Sequence, residues 1–90
     1  MSTTIDPGKG QSPLTDPAFR DRLKDLPPSA KLVAHVLSRT EPLAQGELVD
    51  TTLLPPRTVR YALTRLGEAE LVASRHSFRD ARKQVYYLTP

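Results

Sequence analysis

The segment from Pro55 to Leu71 constrains the fold more strongly than any other part of the chain. Its apolar residues recur at i, i+3, i+4 and i+7, namely Val59, Ala62, Leu63 and Leu66. This spacing places apolar side chains on one face of an α-helix. Pro56 suits the first helical position, because its ring fixes φ and no helical hydrogen bond needs its missing N–H. The segment therefore predicts an amphipathic helix over residues 56–69.

The opposite face of this helix is cationic and rich in hydrogen-bonding groups: Arg57, Thr58, Arg60, Tyr61, Thr64 and Arg65. No acidic residue follows Pro56 until Glu68. Such a face suits a nucleic-acid groove, where side chains neutralise phosphates and bond to base edges. Alternatives stay open, because the arginines could be solvated charges, Thr58 could cap the first amides, and Tyr61 could be half-buried packing.

Charge is unevenly distributed along the 90 residues. Residues 1–55 hold six Lys or Arg and seven Asp or Glu, whereas residues 56–90 hold seven Lys or Arg and three Asp or Glu. The first part therefore has a net charge of −1 and the second part +4. Segregated positive charge indicates a polyanionic partner, because electrostatic steering depends on the local field more than on the total charge.

The residue types argue against an enzyme. The chain has no cysteine, which excludes thiolate nucleophiles and thiolate metal sites. The two histidines, His35 and His76, are 41 positions apart, and no paired acids or glycine-rich phosphate loop occur. We therefore expect no catalytic residues, no metal and no cofactor, and a structural role for His35. No apolar run approaches the roughly 18 residues of a membrane span, and the first ten residues lack a signal-peptide core, so we expect a cytoplasmic protein.

The N-terminal region is predicted to contain a tail and one short helix. Residues 1–15 are rich in Pro, Gly, Ser and Thr and predict a disordered tail. Asp16 and Pro17 form a helix start, and Phe19, Leu23 and Leu26 then recur at i, i+4 and i+7, which predicts a helix over residues 16–26. This thin apolar stripe either packs on its own domain or meets the same helix of a second chain, and we favour the dimer contact.

The main domain is predicted to occupy residues 27–90 and to begin with two further helices. The first of these should run from Pro28 or Ser29 to Arg39 and bury an apolar face made of Leu32, Val33, Val36 and Leu37. A shorter helix should begin at Leu43, with the Glu47 carboxylate accepting a hydrogen bond at its start. The segment 53–55 is then a turn, because the residue before a proline avoids the α region.

Two β-rich segments, residues 71–75 and 82–89, flank the polar loop 76–81 and predict a hairpin. The arms and the loop carry His76 and the cations Arg75, Arg79, Arg82 and Lys83. Alternation along the second strand predicts that Tyr86 and Leu88 face inward, and that Val85 and Tyr87 face outward.

Two helices joined by a tight turn and followed by a basic hairpin predict a winged helix-turn-helix. The expected fold class is α+β, mostly α, with a three-helix core, a β-hairpin wing and a short N-terminal extra helix. A major groove about 12 Å wide admits one helix, and the hairpin cations can reach phosphates or the minor groove. We therefore expect helix 56–69 in a major groove and wing 75–83 on the backbone or minor groove. The rivals are a protein–protein interaction subunit of a larger assembly and a structured-RNA binder.

The run from Leu54 to Val72, the Asp80-Ala81-Arg82 motif and the segment 87–89 resemble MarR-type winged-helix transcription regulators of archaea and bacteria. The likeness covers about residues 28–89. The resemblance implies sequence-specific binding of duplex DNA, regulation of nearby genes and usually a homodimer. The candidate dimer surface is the stripe of Phe19, Leu23 and Leu26.

The resemblance also assigns roles to individual residues. It implies that four side chains face the major groove: Arg57, Thr58, Arg60 and Tyr61. Arg82 would reach the minor groove, Asp80 would hold the wing in shape, and Gln45 would lie near a phosphate.

The chain departs from the family pattern at three helix ends. Ala44 and Pro55 stand where the family has capping residues, and neither has a side chain that can cap. We therefore expect the start of the third helix to be looser by roughly 1 kcal/mol. Glu70 stands where the family has a glycine after the long helix, which puts the geometry of that helix end in question.

Overall fold

Four α-helices and three short strands follow one another along residues 13–89, the part of the chain that the computed structural model describes. The helices are α1 (Pro17–Leu23), α2 (Pro28–Arg39), α3 (Gln45–Thr52) and α4 (Pro56–Glu68). The strands are β1 (Leu43–Ala44), β2 (Val72–His76) and β3 (Gln84–Leu88). None of the helices in this range is long and apolar enough to span a bilayer.

Most of the predicted disordered tail, residues 1–12, lies outside the described residues. Its last three residues differ from the prediction, because Pro13–Thr15 form a 3₁₀ turn. The Asp16 amide donates to the Pro13 carbonyl at 3.0 Å, and this bond closes the turn directly before α1.

The first helix begins as predicted, but its apolar residues pack against their own chain and not against a second chain. The Asp16 carboxylate accepts a hydrogen bond from the Phe19 amide at 3.3 Å, and Pro17 occupies the first turn. The predicted end at residue 26 is wrong: α1 ends at Leu23, and Leu26 follows in a turn. Phe19 and Leu23 are 4% and 7% exposed in the core of their own chain, and Leu26 packs against that core. The assignment of this stripe to a dimer surface is therefore wrong, because intramolecular packing already buries it.

Helix α2 has the predicted bounds and a rotated buried face. Its buried residues are Ala30, Val33, Ala34 and Leu37. Leu32, predicted to be inside, is 40% exposed, and Val36 is only half-buried. The two alanines lie on the packed side because small side chains let α2 approach neighbouring elements closely.

The segment before α3 is a strand and not the predicted first turn of a helix. Leu43 pairs with Tyr86 and Ala44 pairs with Val85, which adds β1 to the antiparallel sheet. Helix α3 starts at Gln45 because the Glu47 carboxylate accepts from the Ala44 amide at 2.8 Å, as predicted. The helix ends at Thr52, and Leu53 then adopts a left-handed φ of 62°.

Helix α4 buries its four predicted apolar residues, Val59, Ala62, Leu63 and Leu66. Its C-terminal end forms two reversing hydrogen bonds: the Glu70 amide donates to the Gly67 carbonyl at 3.0 Å, and the Leu71 amide donates to the Leu66 carbonyl at 2.9 Å. This is the Schellman arrangement, in which the reversing residue usually is glycine. Here Glu70 occupies that position with a φ of 62°.

The sheet has the order β1–β3–β2, and both pairings are antiparallel. Leu88 belongs to the core and Tyr86 packs against it, so the inward assignment of this pair is confirmed. Val85, predicted to face outward into solvent, is only 7% exposed. Val85 lines a depression together with Pro42, Ser77 and Asp80, so the loop after β2 covers part of this face of the sheet. The prediction of a mainly helical winged helix-turn-helix is confirmed, with α3 and α4 as the helix pair and β2–β3 as the wing.

Candidate nucleic-acid interface

The exposed face of α4 carries three side chains that no neighbouring group engages. Arg57, Arg60 and Thr64 are exposed. Their side chains make no hydrogen bond or ion pair within residues 13–89. The apolar face of α4 is fixed in the core by four buried residues, so the rotation of the helix is set and these side chains must point outward. They are free to bond with an external partner.

Thr58 is half-buried at the start of α4. The alternative role as a helix cap is not realised, because α4 has no side-chain cap and Pro55 precedes it. The carbonyl of Pro55 instead accepts from the amides of Thr58 and Val59 at 3.0 and 3.1 Å. The Thr58 hydroxyl therefore has no bonding role within the described part of the chain.

Tyr61 and Arg65 form a pair on the same helix, four residues apart. Tyr61 is 48% exposed, and its hydroxyl accepts from Arg65 Nη1 at 2.7 Å. The Arg65 guanidinium also lies 5.7 Å from the Tyr61 ring centroid, and its Nε is 3.7 Å from a Glu68 carboxylate oxygen. Arg65 is thus oriented within the helix, and it is less free than Arg57 or Arg60 to follow an external ligand.

Gln45 links the two helices of the helix-turn-helix. Its Nε2 donates to the Pro56 carbonyl at 3.3 Å, which ties the start of α3 to the start of α4. Gln45, Arg60 and Lys83 line one shallow depression, so this surface joins α3, α4 and the wing. Glu47 and Asp50 line it as well, and the depression therefore has mixed charge.

The wing loop is held by Asp80. Its carboxylate accepts from the Arg82 amide at 3.0 Å and lies 3.3 Å from Arg82 Nε, while its carbonyl accepts from the Lys83 amide at 2.8 Å. The Ser77 amide in turn donates to the Lys83 carbonyl at 2.8 Å, which closes the loop at its base. Asp80 therefore bonds to the backbone of the turn and also pairs with the side chain of Arg82.

The wing cations differ in how firmly they are held. The side chains of Arg79 and Lys83 are exposed and make no hydrogen bond or ion pair in the described range. Arg82 is exposed and paired with Asp80. Arg75 is half-buried, donates from Nη1 to the His76 carbonyl at 3.3 Å, and stacks on Phe78 with its guanidinium 4.6 Å from the ring centroid.

Phe78 is an exposed aromatic residue beside the wing cations that the sequence analysis did not single out. It is 92% exposed in the wing loop. The signal that could have found it is an aromatic residue inside a loop that is otherwise polar, which no core or strand pattern requires. Residues 13–89 hold no cluster of three or more His, Cys, Asp or Glu that could bind a metal ion.

The arrangement of α3, α4 and the β2–β3 wing defines a winged helix-turn-helix protein with a cationic outer face. A protein-family model described as MarR family matches residues 24–83. The chain therefore belongs to the MarR family.

Solved structures of similar fold are found among bacterial proteins. BpsR from Bordetella bronchiseptica, described by its regulation of DNA binding by 6-hydroxynicotinic acid, is 27% identical, with a TM-score of 0.71 over 80% of this chain and 53% of that one. A probable transcriptional regulator from Pseudomonas aeruginosa is 23% identical, with a TM-score of 0.71 over 80% and 55%. The adhesin competence repressor AdcR from Streptococcus pyogenes is 22% identical, with a TM-score of 0.67 over 72% and 47%.

The chain spans about half the length of the solved structures that it matches. A comparison with curated proteins gave no match. AdcR is described as a repressor, and the Pseudomonas aeruginosa protein as a probable transcriptional regulator. The prediction that the chain is not an enzyme is confirmed by its membership of the MarR family, whose members are transcription regulators.

Proposed function

We propose that this chain binds duplex DNA sequence-specifically and regulates transcription. In this proposal α4 enters the major groove and wing 75–83 contacts the backbone or the minor groove. The observation that carries it is the presence, on two connected surfaces, of cations without a bonding partner in residues 13–89: Arg57 and Arg60 on α4, and Arg79 and Lys83 on the wing. Charges retained without internal partners on neighbouring surfaces suit a polyanionic ligand.

The start of α4 is suited to reading bases. Arg57 and Arg60 can each form the bidentate contact to guanine O6 and N7 that is the commonest specific contact in the major groove. Thr58 and Thr64 offer hydroxyls that both donate and accept. Because the Gln45 amide is bonded to the first turn of α4, we place Gln45 beside the phosphates that flank this groove.

The wing is suited to the backbone or the minor groove. Arg75, Arg79, Arg82 and Lys83 lie on a hairpin whose one acidic residue, Asp80, is occupied by the Arg82 amide and guanidinium. Pairing with Asp80 gives Arg82 a defined starting orientation, which lowers the entropy that it loses when it binds a phosphate or a groove.

The protein-contact alternative predicts an exposed apolar patch on α4. The large exposed apolar side chains of residues 13–89 are scattered over two helices and two loops: Leu32, Leu53, Tyr61 and Phe78. Only Tyr61 belongs to α4, and its hydroxyl is bonded to Arg65. This distribution favours a nucleic acid over a protein as the ligand of α4.

Dimer formation stays a proposal that rests on family membership. The α1 stripe is not available for it, because Phe19 and Leu23 are buried in their own chain. A dimer of this chain would need another surface.

The test is fluorescence anisotropy with labelled DNA duplexes over a salt series, using a duplex selected from a random pool by the wild-type protein. We expect log affinity to fall with log salt by about 0.9 per phosphate contacted. Arg60→Ala should cost about 1–3 kcal/mol on the selected duplex and relax its sequence preference. Arg82→Ala should reduce the salt slope by about 0.9.

Lys24→Gln is the matched control. Lys24 is exposed just after α1, a helix tied to the far end of α4 by the bond from Arg22 to the Ala69 carbonyl. This variant removes one positive charge and should leave DNA binding unchanged. Absence of wild-type binding at about 50 mM salt, or stronger binding to an RNA duplex of the same sequence, would contradict the proposal.

A further inference from the structure

The tip of the wing presents an aromatic ring to solvent. Phe78 lies between β2 and β3 and is 92% exposed. Val85 and Leu88 fill the two faces of the neighbouring strand, so the fold does not use the Phe78 ring in its core. A lone exposed apolar residue needs no explanation by itself. The orientation and the surroundings of this one do.

The ring is held outward by a cation. The Arg75 guanidinium lies 4.6 Å from the ring centroid, within the range of a cation–π contact. Arg75 is itself anchored, because it emerges from β2 and its Nη1 donates to the His76 carbonyl at 3.3 Å. The guanidinium therefore lies beside one face of the ring, and the ring stays open to solvent.

The ring is surrounded by positive charge. Arg79, Arg82 and Lys83 follow it within five residues, and the one acid of the loop, Asp80, is already bonded to Arg82. An apolar protein surface is a poor partner for such a tip, because the surrounding cations would lose their hydration without gaining a counter-charge. A nucleic acid offers phosphates to the cations and π-faces to the ring.

We propose that Phe78 enters a base step of DNA from the minor groove, with the wing cations bonded to the flanking phosphates. The inference rests on the proposed function and adds a base-contacting residue and a preference among base steps. Apolar side chains that enter the minor groove partly unstack a step and kink the duplex. Pyrimidine–purine steps such as TA unstack most easily, so the wing should favour them even without hydrogen bonds to the bases.

The experiment uses the full chain and an A·T-rich duplex with TA steps, in which one adenine is replaced by fluorescent 2-aminopurine. Emission of 2-aminopurine rises when the base unstacks. Wild type, Phe78→Ala and Phe78→Leu are compared at protein concentrations that saturate the anisotropy, so emission reports unstacking independently of affinity. Because the ring is exposed, we expect all three proteins to have the same melting temperature.

Binding of the wild-type protein should raise the 2-aminopurine emission. Phe78→Leu should give most of this rise, because leucine is also an apolar side chain that can enter the base step, and Phe78→Ala should give none. Phe78→Ala should also bind about tenfold more weakly, as loss of one aromatic–base contact implies. Its slope of log affinity against log salt should stay unchanged, because the slope reports the phosphates neutralised.

Equal emission with Phe78→Ala and wild type, or a Leu variant that behaves like the Ala variant, would overturn the entry of Phe78 into the base step. Unchanged affinity of Phe78→Ala on a duplex that wild type binds would overturn the contact while leaving the proposed function intact. Absence of wild-type binding to any duplex would overturn both.

Discussion

Replacing Glu70 with glycine should stabilise the domain by about 1 kcal/mol. Glu70 has a φ of 62°, in the left-handed region where a Cβ approaches the following carbonyl oxygen. The cost of this conformation is roughly 1–2 kcal/mol for a residue other than glycine. Glycine removes it, at a loss of about 0.4–1 kcal/mol because the unfolded chain gains conformational freedom. The difference is a gain of about 1 kcal/mol.

The structure indicates that no native contact is lost in this exchange. Glu70 is exposed, and its hydrogen bonds are made by the backbone: its amide donates to the Gly67 carbonyl at 3.0 Å, and its carbonyl accepts from the Thr89 hydroxyl at 2.8 Å. Both bonds are available to glycine. The expected rise in melting temperature is roughly 4–8 °C for a domain of this size.

The assay is urea unfolding followed by circular dichroism, in which the midpoint should rise while the slope m stays constant. Glu70→Ala is the control, because it removes the carboxylate and keeps the Cβ. It should gain little, through relief of an unfavourable negative charge at a helix C-terminus. If Glu70→Ala stabilises the domain as much as Glu70→Gly does, the gain in stability comes from removal of the charge. That result would refute the explanation by backbone strain at residue 70. Leu53→Gly offers a second test, since Leu53 has the same φ of 62° and is 87% exposed.

Two further substitutions test the packing of the N-terminal half. Phe19→Ala should cost about 3–5 kcal/mol in urea unfolding, because Phe19 is only 4% exposed in the core. The loss should not depend on protein concentration, and a concentration-dependent midpoint would favour the dimer contact instead. Glu47→Ala should cost about 1 kcal/mol, because it removes the acceptor of the Ala44 amide. Glu47→Gln keeps an acceptor oxygen, and an equal loss in that variant would contradict the capping role.

The sequence predicted those features that depend on local pattern. Helices α2 and α4 have the expected starts, because proline at a first helical position and the i, i+3, i+4 spacing are local signals. The sequence predicted less well which residues of α2 form its buried face, because Leu32 is exposed and Ala30 is buried. The periodicity of apolar residues shows that a helix has an apolar face. Which residues lie at the centre of that face depends on the neighbouring element against which the helix packs.

Features that depend on distant partners could not be predicted in this way. Strand β1 exists because Leu43 pairs with Tyr86, 43 positions further along the chain, and a two-residue strand has no pattern of its own. The apolar residues Phe19, Leu23 and Leu26 allowed two interpretations, packing against their own chain or against a second chain. Both interpretations require the same apolar residues. The burial of Phe19 and Leu23 within their own chain decides between the two interpretations.

In the candidate site, too, the residue types could be predicted from the sequence, whereas their contacts with other residues could not. Every cation assigned to it was visible in the sequence, because an exposed charge needs no partner to be recognised. The sequence reading did not distinguish free cations from engaged ones. Arg57 and Arg60 are unpaired within the described residues, whereas Arg65 is bonded to Tyr61 and Arg75 stacks on Phe78. Arg57 and Arg60 can therefore change their orientation to suit a base sequence, whereas the orientations of Arg65 and Arg75 are set by contacts within the chain.

Glu70 shows how tertiary structure can override a local preference. The absence of glycine called the end of α4 into question, yet the helix ends with the bonds of a Schellman motif. The reason lies in the next residue. Leu71 is 1% exposed in the core, and its carbonyl accepts from the Thr89 amide at 3.0 Å. Both interactions require the chain to reverse at residue 70, so burial of Leu71 and closure of the sheet offset the strain at Glu70. A glycine at this position should therefore leave the geometry unchanged and raise only the stability.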